Sequence, residues 1–529
     1  MLRQINSHIA PCLPAGRYRT MPTGRQVSHI VKVSFPCLLS AVLLILSFPK
    51  FNLEFVAWFG FVPLFLALEN KSKSKAFLLF YLTGVIFWFG TIYWLIHVTL
   101  PGLIVLVLYL ALYFAIFGLL VFSIGYRLSA IGLLFIPALW VVLEYLRGHL
   151  LSGFGWALLG YSQYLNLPVI QIADITGVWG VSFLVMISNV IIYTLITRRS
   201  SGRAKVKSSW FAISCIIIVL LYGFYKINQT PKAESQSSLT ISVIQGNIPQ
   251  EMKWDNRSSS LIIERYFNLT AKAIKDGPDL IIWPEAALPV VLEEEPVYFD
   301  KVLNFTRKIS TPLLLGVVTY RDNLYYNSAL LISKEGSFIR RYDKIHLVPF
   351  GEYIPLRKVF DFLETIAPIG DITAGKEYTL FEVSRAGRRP LAVFSVLICF
   401  EDLFPELSRR FVSRGAEFLV NITNDAWFGD TSSPYQHLAA SVFRAVENRV
   451  FLVRSANTGV SGFISPQGKI ISLVEDGQGK NTFIPGALTQ QIDGFNRASS
   501  FYTHYGDLFI LVCFLFILSV IIFIFKKKR

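Results

Sequence analysis

The chain has 529 residues, of which 53% are hydrophobic and only 16% charged, with a mean hydropathy of +0.50. Soluble globular domains carry more charge than this, which excludes a wholly soluble protein. The formal charge of +15 does not call for a nucleic-acid partner, because residues 237–505 hold 28 Lys+Arg against 29 Asp+Glu, and the excess lies around apolar runs elsewhere.

Residues 1–30 are polar and basic, with no apolar core, and do not read as a cleavable signal peptide. Met21 is a second candidate start. Seven apolar runs follow, at roughly 31–48, 53–69, 76–97, 101–124, 129–146, 169–197 and 209–225, with an eighth at roughly 506–525. Runs near 20 residues are long enough to cross a bilayer as helices. Gly and Pro interrupt the fifth and sixth. Outside 237–505 there are 22 Lys+Arg, and alternating the spans places 18 of them on one side. Those 18 include Lys71, Lys73, Lys75, Arg198, Arg199 and Lys526 to Arg529, while the other side's short loops hold Lys50, Arg147, Lys226 and Lys232. Basic loops stay in the cytoplasm. Both termini are therefore expected inside, with residues 227–505 outside the cytoplasmic (inner) membrane. The expected divisions are a cytoplasmic extension (1–30), a seven-span domain (31–226), a linker (227–238), a catalytic domain (239–505), and a final span with a basic tail (506–529).

The segment 239–505 alternates strand and helix patterns. Strands are expected at Leu239–Gln245, Leu280–Trp283, Pro312–Val318, Ser328–Ile332, Leu391–Ile398, Phe418–Ile422 and Val450–Arg454. Helices are expected at Ser258–Lys275, Val297–Lys308, Pro405–Ser413 and Pro434–Asn448. This pattern indicates an α/β domain with buried central strands. Asp322-Asn323 and Glu335-Gly336 add hairpin turns, so mixed sheets are expected.

Three of the strand-like runs end on chemically useful residues. Leu280 to Pro284 delivers Glu285, Phe338 to Asp343 delivers Lys344, and Leu391 to Ile398 delivers Cys399. Of the five cysteines, Cys12, Cys37, Cys215, Cys399 and Cys513, only Cys399 falls in the region placed outside the membrane. It has no local disulfide partner, and no Cys/His cluster suggests a metal. A thiol forms thioesters that still react with an amine or water. Glu285 would be the general base, with Trp283, Pro284 and Ala286 to Leu288 as an apolar setting that raises its pKa. Lys344 and the backbone N–H of Phe400 would stabilise an oxyanion. Each residue alone also reads as structural: a buried cysteine, a loop carboxylate, a loop lysine. Glu352 and Glu401 are candidate supporting carboxylates, and Asn424 and Trp427 lie at another strand end. His346 and His437 lack an evident orienting partner, so a Cys–His pair is not expected. Arg147, Glu144 and Asp174 are read as polar groups in or near spans, with headgroup contact or mutual pairing both open. The apolar stretch from Tyr353 to Ala367 reads as a lid or as a packed loop.

The segments Trp283-Pro284-Glu285, Tyr342-Asp343-Lys344 and Ile398-Cys399-Phe400-Glu401 resemble the Glu-Lys-Cys motifs of the nitrilase (carbon–nitrogen hydrolase) superfamily. Gln245 to Gln250, Lys253-Trp254-Asp255, His346 to Tyr353 and Asn424 to Gly429, together with the spans, resemble the apolipoprotein N-acyltransferase family. That resemblance implies an α-β-β-α sandwich on an eight-span membrane base. It implies a triad of Glu285, Lys344 and Cys399, support from Glu352, and Trp254 near the acyl or lipoprotein entry. It implies transfer of an acyl chain from a phospholipid to the α-amine of a diacylglyceryl-cysteine, through a thioester and with no cofactor. The family commonly has Tyr where Phe400 stands, so the N–H is kept and the phenolic hydroxyl is lost. Two other readings are a membrane-anchored amidase using water as acceptor and a non-catalytic membrane scaffold.

Overall fold

A computed structural model describes residues 24–69, 71–125, 132–197, 202–229, 238–253, 257–354, 372–385, 388–493 and 500–528. The membrane part runs through helices α1 (Gly24–Leu46), α2 (Val62–Ala67), α3 (Lys73–Thr91), α4 (Leu100–Ser123), α5 (Gly132–His149), α6 (Leu167–Ile170), α7 (Ala173–Thr176), α8 (Val178–Ile196) and α9 (Gly202–Asn228). Among the described residues, five helices are long and apolar enough to cross a membrane: α3, α4, α5 with its one-turn extension, α8 and the C-terminal helix. The run at 53–69 is not one helix. It is a 3-10 turn (Glu54–Trp58) followed by the short α2, which Pro63 starts. The sixth run breaks at Gly177, whose φ of +66° separates α7 from α8.

Lipid gives helices no hydrophobic drive to associate, so close packing must hold them. Trp140 on α5 meets the rings of Phe61, Phe114 and Phe117 at 4.9, 5.1 and 5.0 Å. At Gly118 on α4 a Cβ would lie 2.3 Å from Phe80 on α3, so only glycine permits this approach.

The second part is a two-sheet sandwich. Its strands are β1 (Ser238–Gln245), β2 (Leu280–Ile282), β3 (Leu288–Val291), β4 (Leu313–Arg321), β5 (Leu324–Ile332), β6 (Phe338–Asp343), β7 (Phe381–Arg385), β8 (Arg388–Ile398), β9 (Phe418–Thr423), β10 (Phe451–Ala456), β11 (Gly462–Ile464), β12 (Ile470–Leu473) and β13 (Gly486–Asp493). One sheet has the order β13-β1-β2-β4-β5-β6 with β3 beside β4, and the other β12-β11-β10-β9-β8-β7. Helices α10 (Gln250–Lys253), α11 (Ser259–Ala273) and α12 (Pro296–Ile309) belong to the first sheet's side, where α11 and α12 bury Tyr266 and Val302 against its outer face. Helices α13 (Pro405–Ser413) and α14 (Ser433–Asn448) cover the second sheet, between it and the membrane helices. The chain closes with α15 (Phe501–Tyr505) and the apolar α16 (Leu508–Lys528).

The expected strands and helices are present, with ends moved by a few residues. β4 and β5 pair antiparallel across Asp322 and Asn323, at φ +53° and +62°, as a two-residue hairpin turn requires. β1, β2 and β4 are parallel, and so are β8, β9 and β10. β6 returns in the direction of β4 through two antiparallel steps. The carboxyl ends of β2, β6, β8 and β9 therefore meet between the sheets, where α/β folds gather their sites.

Candidate active site

Cys399 is the first residue after β8, and its φ of +56° puts it in the left-handed region. A non-glycine residue there costs about 1–3 kcal/mol and persists only when its surroundings hold it. The Asn421 amide donates to the Cys399 carbonyl at 2.9 Å, and His437 Nε2 reaches the same oxygen at 3.2 Å. Glu401 secures the turn from the other side. Its carboxylate accepts from the N–H groups of Ile398 (2.7 Å), Ile345 (2.8 Å) and His346 (3.0 Å), and from the Tyr342 hydroxyl (2.9 Å). It thereby ties the nucleophile turn to the segment after β6 that carries Lys344. Burial pushes the Glu401 carboxyl up to about 7 against the pull of these donors.

Glu285 follows β2, and Ala286 turns the chain at φ +45°. Gly316 on β4 makes room, because a Cβ there would sit 2.6 Å from the Glu285 Cα. The setting of the carboxylate is not the apolar one expected. Trp283 points to the opposite face, stacks on Tyr266 at 4.9 Å and bonds Thr270. Glu285 instead accepts from Asn327 Nδ2 at 2.8 Å and from the Asn424 N–H at 2.9 Å, with Lys344 Nζ at 3.7 Å.

Lys344 is 1% exposed and sits 2.9 Å from Glu352 Oε2. Glu352 also accepts from Asn327 Nδ2 and the Val348 N–H, both at 2.9 Å. Burial opposes the ammonium charge, but Glu352, Cys399 and Glu285 outweigh it and raise the lysine pKa. The Phe400 ring lies 5.2 Å from Lys344 Nζ. A phenyl face suffices for that cation–π contact, which gives Phe400 a physical role without a hydroxyl. The Cys399 thiol is pushed well up, first by burial and then by the Glu285 charge, with Lys344 opposing. The resting residue is a neutral thiol that needs a base.

Asn424 is buried and aligned by Gln250 and Asn457, each at 2.9 Å. Trp427 is 45% exposed, on the 3-10 turn Asp425–Phe428, which packs on the membrane segment Tyr93–His97 through Phe428 and Trp94. Trp254 and the stretch 355–371 lie outside the described residues.

Four buried groups were not legible as site residues in the sequence. Asn327, inside β5, bridges Glu285 and Glu352. Lys253 Nζ donates to the Glu285 carbonyl at 2.9 Å. Behind Cys399, His437 does have orienting partners, contrary to expectation: Asp402 Oδ1 at 2.7 Å and Asp425 Oδ1 at 3.1 Å. Arg454 Nη1 completes the cluster at 3.0 Å from Asp402. Burial works against a charged His437, yet the two aspartates overcome it and raise its pKa to about 9. Its ring serves the Cys399 backbone, which gives it a structural role. The raised pKa fixes the sign of a pH effect. The stabilisation from charged His437 is full below its unfolded pKa near 6.5 and is lost as pH rises through about 9. At most ~3 kcal/mol is involved. The melting-temperature gap between wild type and His437→Gln is expected to narrow between pH 6.5 and 9.5; a gap that stays constant would show that the ring is neutral.

The Cys399 turn rests on the membrane part. Gly153 and Gly155 abut Phe404 and Leu403, His346 Nε2 lies 3.0 Å from the Ser152 carbonyl, and Trp156 lies 5.5 Å from the His437 ring. Arg147 shapes that loop. It is buried, donates to the Phe154 and Trp156 carbonyls, and stacks on Trp88. Glu144 accepts from the Leu159 N–H and is the acidic charge that acts most on Arg147, though the two make no ion pair within 4 Å, whereas Asp174 binds Arg449 and Lys226 instead.

A thiol, a hydrogen-bonded carboxylate and a paired ammonium at neighbouring strand ends of a two-sheet sandwich define a carbon–nitrogen hydrolase domain, and residues 240–492 match the model of the Carbon-nitrogen hydrolase family. Residues 40–191 match the model described as "Apolipoprotein N-acyltransferase N-terminal domain". A protein of Geobacter metallireducens named apolipoprotein N-acyltransferase is 40% identical, over 90% of this chain and 92% of its own length. One of the same name from Chlorobaculum tepidum is 31% identical, over 91% of this chain and 94% of its own. An amidase from Nesterenkonia sp. is 20% identical over 48% of this chain and 90% of its own, with a TM-score of 0.37, too low to carry weight. The chain belongs to the apolipoprotein N-acyltransferase family and is a membrane-associated N-acyltransferase.

Proposed function

We propose that the protein moves a fatty acyl chain from a phospholipid to the N-terminal α-amine of a diacylglyceryl-cysteine lipoprotein, by way of a Cys399 thioester. The observation that carries the lipid half of this reading is the seating of the nucleophile turn on the loop 150–157 of the membrane helices. An acyl donor confined to the bilayer has a short path to the thiol. The eight-span arrangement, with both termini in the cytoplasm and residues 227–505 outside, counts the broken segment Glu54–Ala67 and the interrupted sixth run as crossings and is supported by the 18-to-4 division of basic residues.

In the first half-reaction Glu285 takes the Cys399 proton and Sγ attacks the ester carbonyl. The oxyanion is met by Lys344 Nζ and the Phe400 N–H. Collapse breaks the carbon–oxygen bond, and Glu285 returns the proton to the departing lysophospholipid. In the second, the lipoprotein amine attacks the thioester, Glu285 accepts the amine proton, and collapse to the amide sends that proton to the departing thiolate. Asn327 holds Glu285 and Glu352 at a fixed separation throughout. Trp427, exposed beside the membrane segment, is assigned to acceptor contact, whereas Asn424, expected to bind substrate, is buried with its amide held by Gln250 and Asn457 and serves Glu285 through its N–H.

Incubating the protein with phospholipid carrying a labelled acyl chain and a diacylglyceryl-cysteine peptide tests the proposal. Label is expected in an amide on the peptide amine. Label released as free fatty acid at the same rate with and without peptide would favour an amidase-like reaction with water.

A further inference from the structure

The site holds a second buried lysine. Lys253 is 1% exposed at the end of α10, and its ammonium donates to the Glu285 carbonyl oxygen at 2.9 Å. Among the described residues it forms no ion pair within 4 Å. A neutral donor would satisfy one carbonyl at far lower desolvation cost than an ammonium. The charge itself therefore needs a reason.

The charge count of the site supplies one. Glu285, Glu352 and Glu401 are carboxylates that share one nearby cation, Lys344. Asp402 and Asp425 are matched separately by His437 and Arg454. Lys253 removes one unit of the negative charge left over. The balance does not change when the proton moves from Cys399 to Glu285, because the thiolate replaces the carboxylate. Nor does it change when the charge passes to a substrate oxyanion. Without Lys253 every one of these states carries one more negative charge away from water, where such charge costs most.

We propose that Lys253 is a positioning residue and the second cation of the reaction: it fixes the Glu285 peptide and neutralises the negative charge that passes between Glu285, Cys399 and the oxyanion. This rests on the thioester reading given above. The groups facing its ammonium are Glu285 and Cys399. Those facing Cys399 are Glu285, Lys344 and Asp425. Burial lowers the Lys253 pKa to about 8, so its charge is held weakly enough to titrate in an accessible range.

The test is the pH profile of Cys399 alkylation by iodoacetamide in the detergent-solubilised full chain, with thioester formation from a diacyl phospholipid measured beside it. Lys253→Gln keeps a donor for the Glu285 carbonyl and removes the charge. It is expected to move the thiol profile at least one pH unit upward and to slow thioester formation by about tenfold or more. Lys253→Arg keeps the charge, is expected to form thioester within about threefold of wild type, and should lack the inflection near pH 8 expected of wild type. A Lys253→Gln protein with a wild-type profile and rate overturns the proposal. If that variant does not fold, an unchanged inflection in Lys253→Arg overturns it instead. Absence of a thioester in wild type would sink the acyl-transfer reading, while the alkylation profiles still decide the role of Lys253.

Discussion

Replacing Cys399 by alanine is expected to reduce acyl transfer by about 10,000-fold or more while leaving the fold intact. The sulfur provides the only proposed covalent link to the acyl chain, and among the described residues no second thiol stands near it: Cys37 is buried in α1, Cys513 in α16, and Cys215 lies in α9. The backbone contacts that hold the turn use the Cys399 carbonyl and the Glu401 carboxylate, which the substitution leaves in place. Alanine should keep the positive φ at similar cost, so the melting temperature should move by only a few degrees. Phospholipid affinity should survive, since the substitution removes one sulfur atom. A Cys399→Ala protein retaining even a tenth of wild-type turnover would remove the thioester from the mechanism.

Glu285→Gln is expected to cost on the order of 100- to 10,000-fold in both half-reactions. The carboxamide is isosteric but cannot take a proton from Cys399, whose raised pKa leaves it neutral at rest. It also disturbs the donors around it. Asn327 Nδ2, the Asn424 N–H and Lys344 all face the carboxylate oxygens, and a carboxamide offers one acceptor where there were two. The loss should fall on turnover rather than on KM. Alkaline pH should partly restore alkylation of Cys399 in this variant, because hydroxide can remove the proton directly. Identical alkylation profiles for wild type and Glu285→Gln would show that Glu285 is not the base.

Much of the site was legible because two apolar strands end on Glu285 and Cys399, a local signal, while Lys344 follows the polar, largely exposed β6 and was marked by its resemblance to the family motif. The Asp322-Asn323 hairpin was equally local. What escaped depends on which distant segments meet. Asn327 sits inside β5 with nothing nearby to mark it. Lys253 stood in the sequence only as part of the Lys253-Trp254-Asp255 motif, and its contact with the Glu285 carbonyl follows from where α10 packs. His437 lies 35 residues from Asp402 and 12 from Asp425, so its carboxylates become neighbours only after α14 packs on the second sheet. The apolar surroundings assigned to Glu285 were misplaced for a related reason. Trp283 follows Ile281 to the outer layer, and strand alternation would send Glu285 there too, but β2 ends at Ile282 and the turn through Ala286 carries the carboxylate to the other side. The break in the run at 53–69 was marked by Gly60 and Pro63, signals that the overall hydrophobicity outweighed.

Intact mass spectrometry of the purified protein tests the central claim most directly. After exposure to a single diacyl phospholipid, wild type should gain the mass of one acyl chain less one proton. The adduct should map to Cys399 and disappear on addition of a diacylglyceryl-cysteine peptide, as the peptide gains the same mass on its amine. No adduct in wild type, an equal adduct in Cys399→Ala, or discharge to free fatty acid that ignores the peptide would each contradict the account.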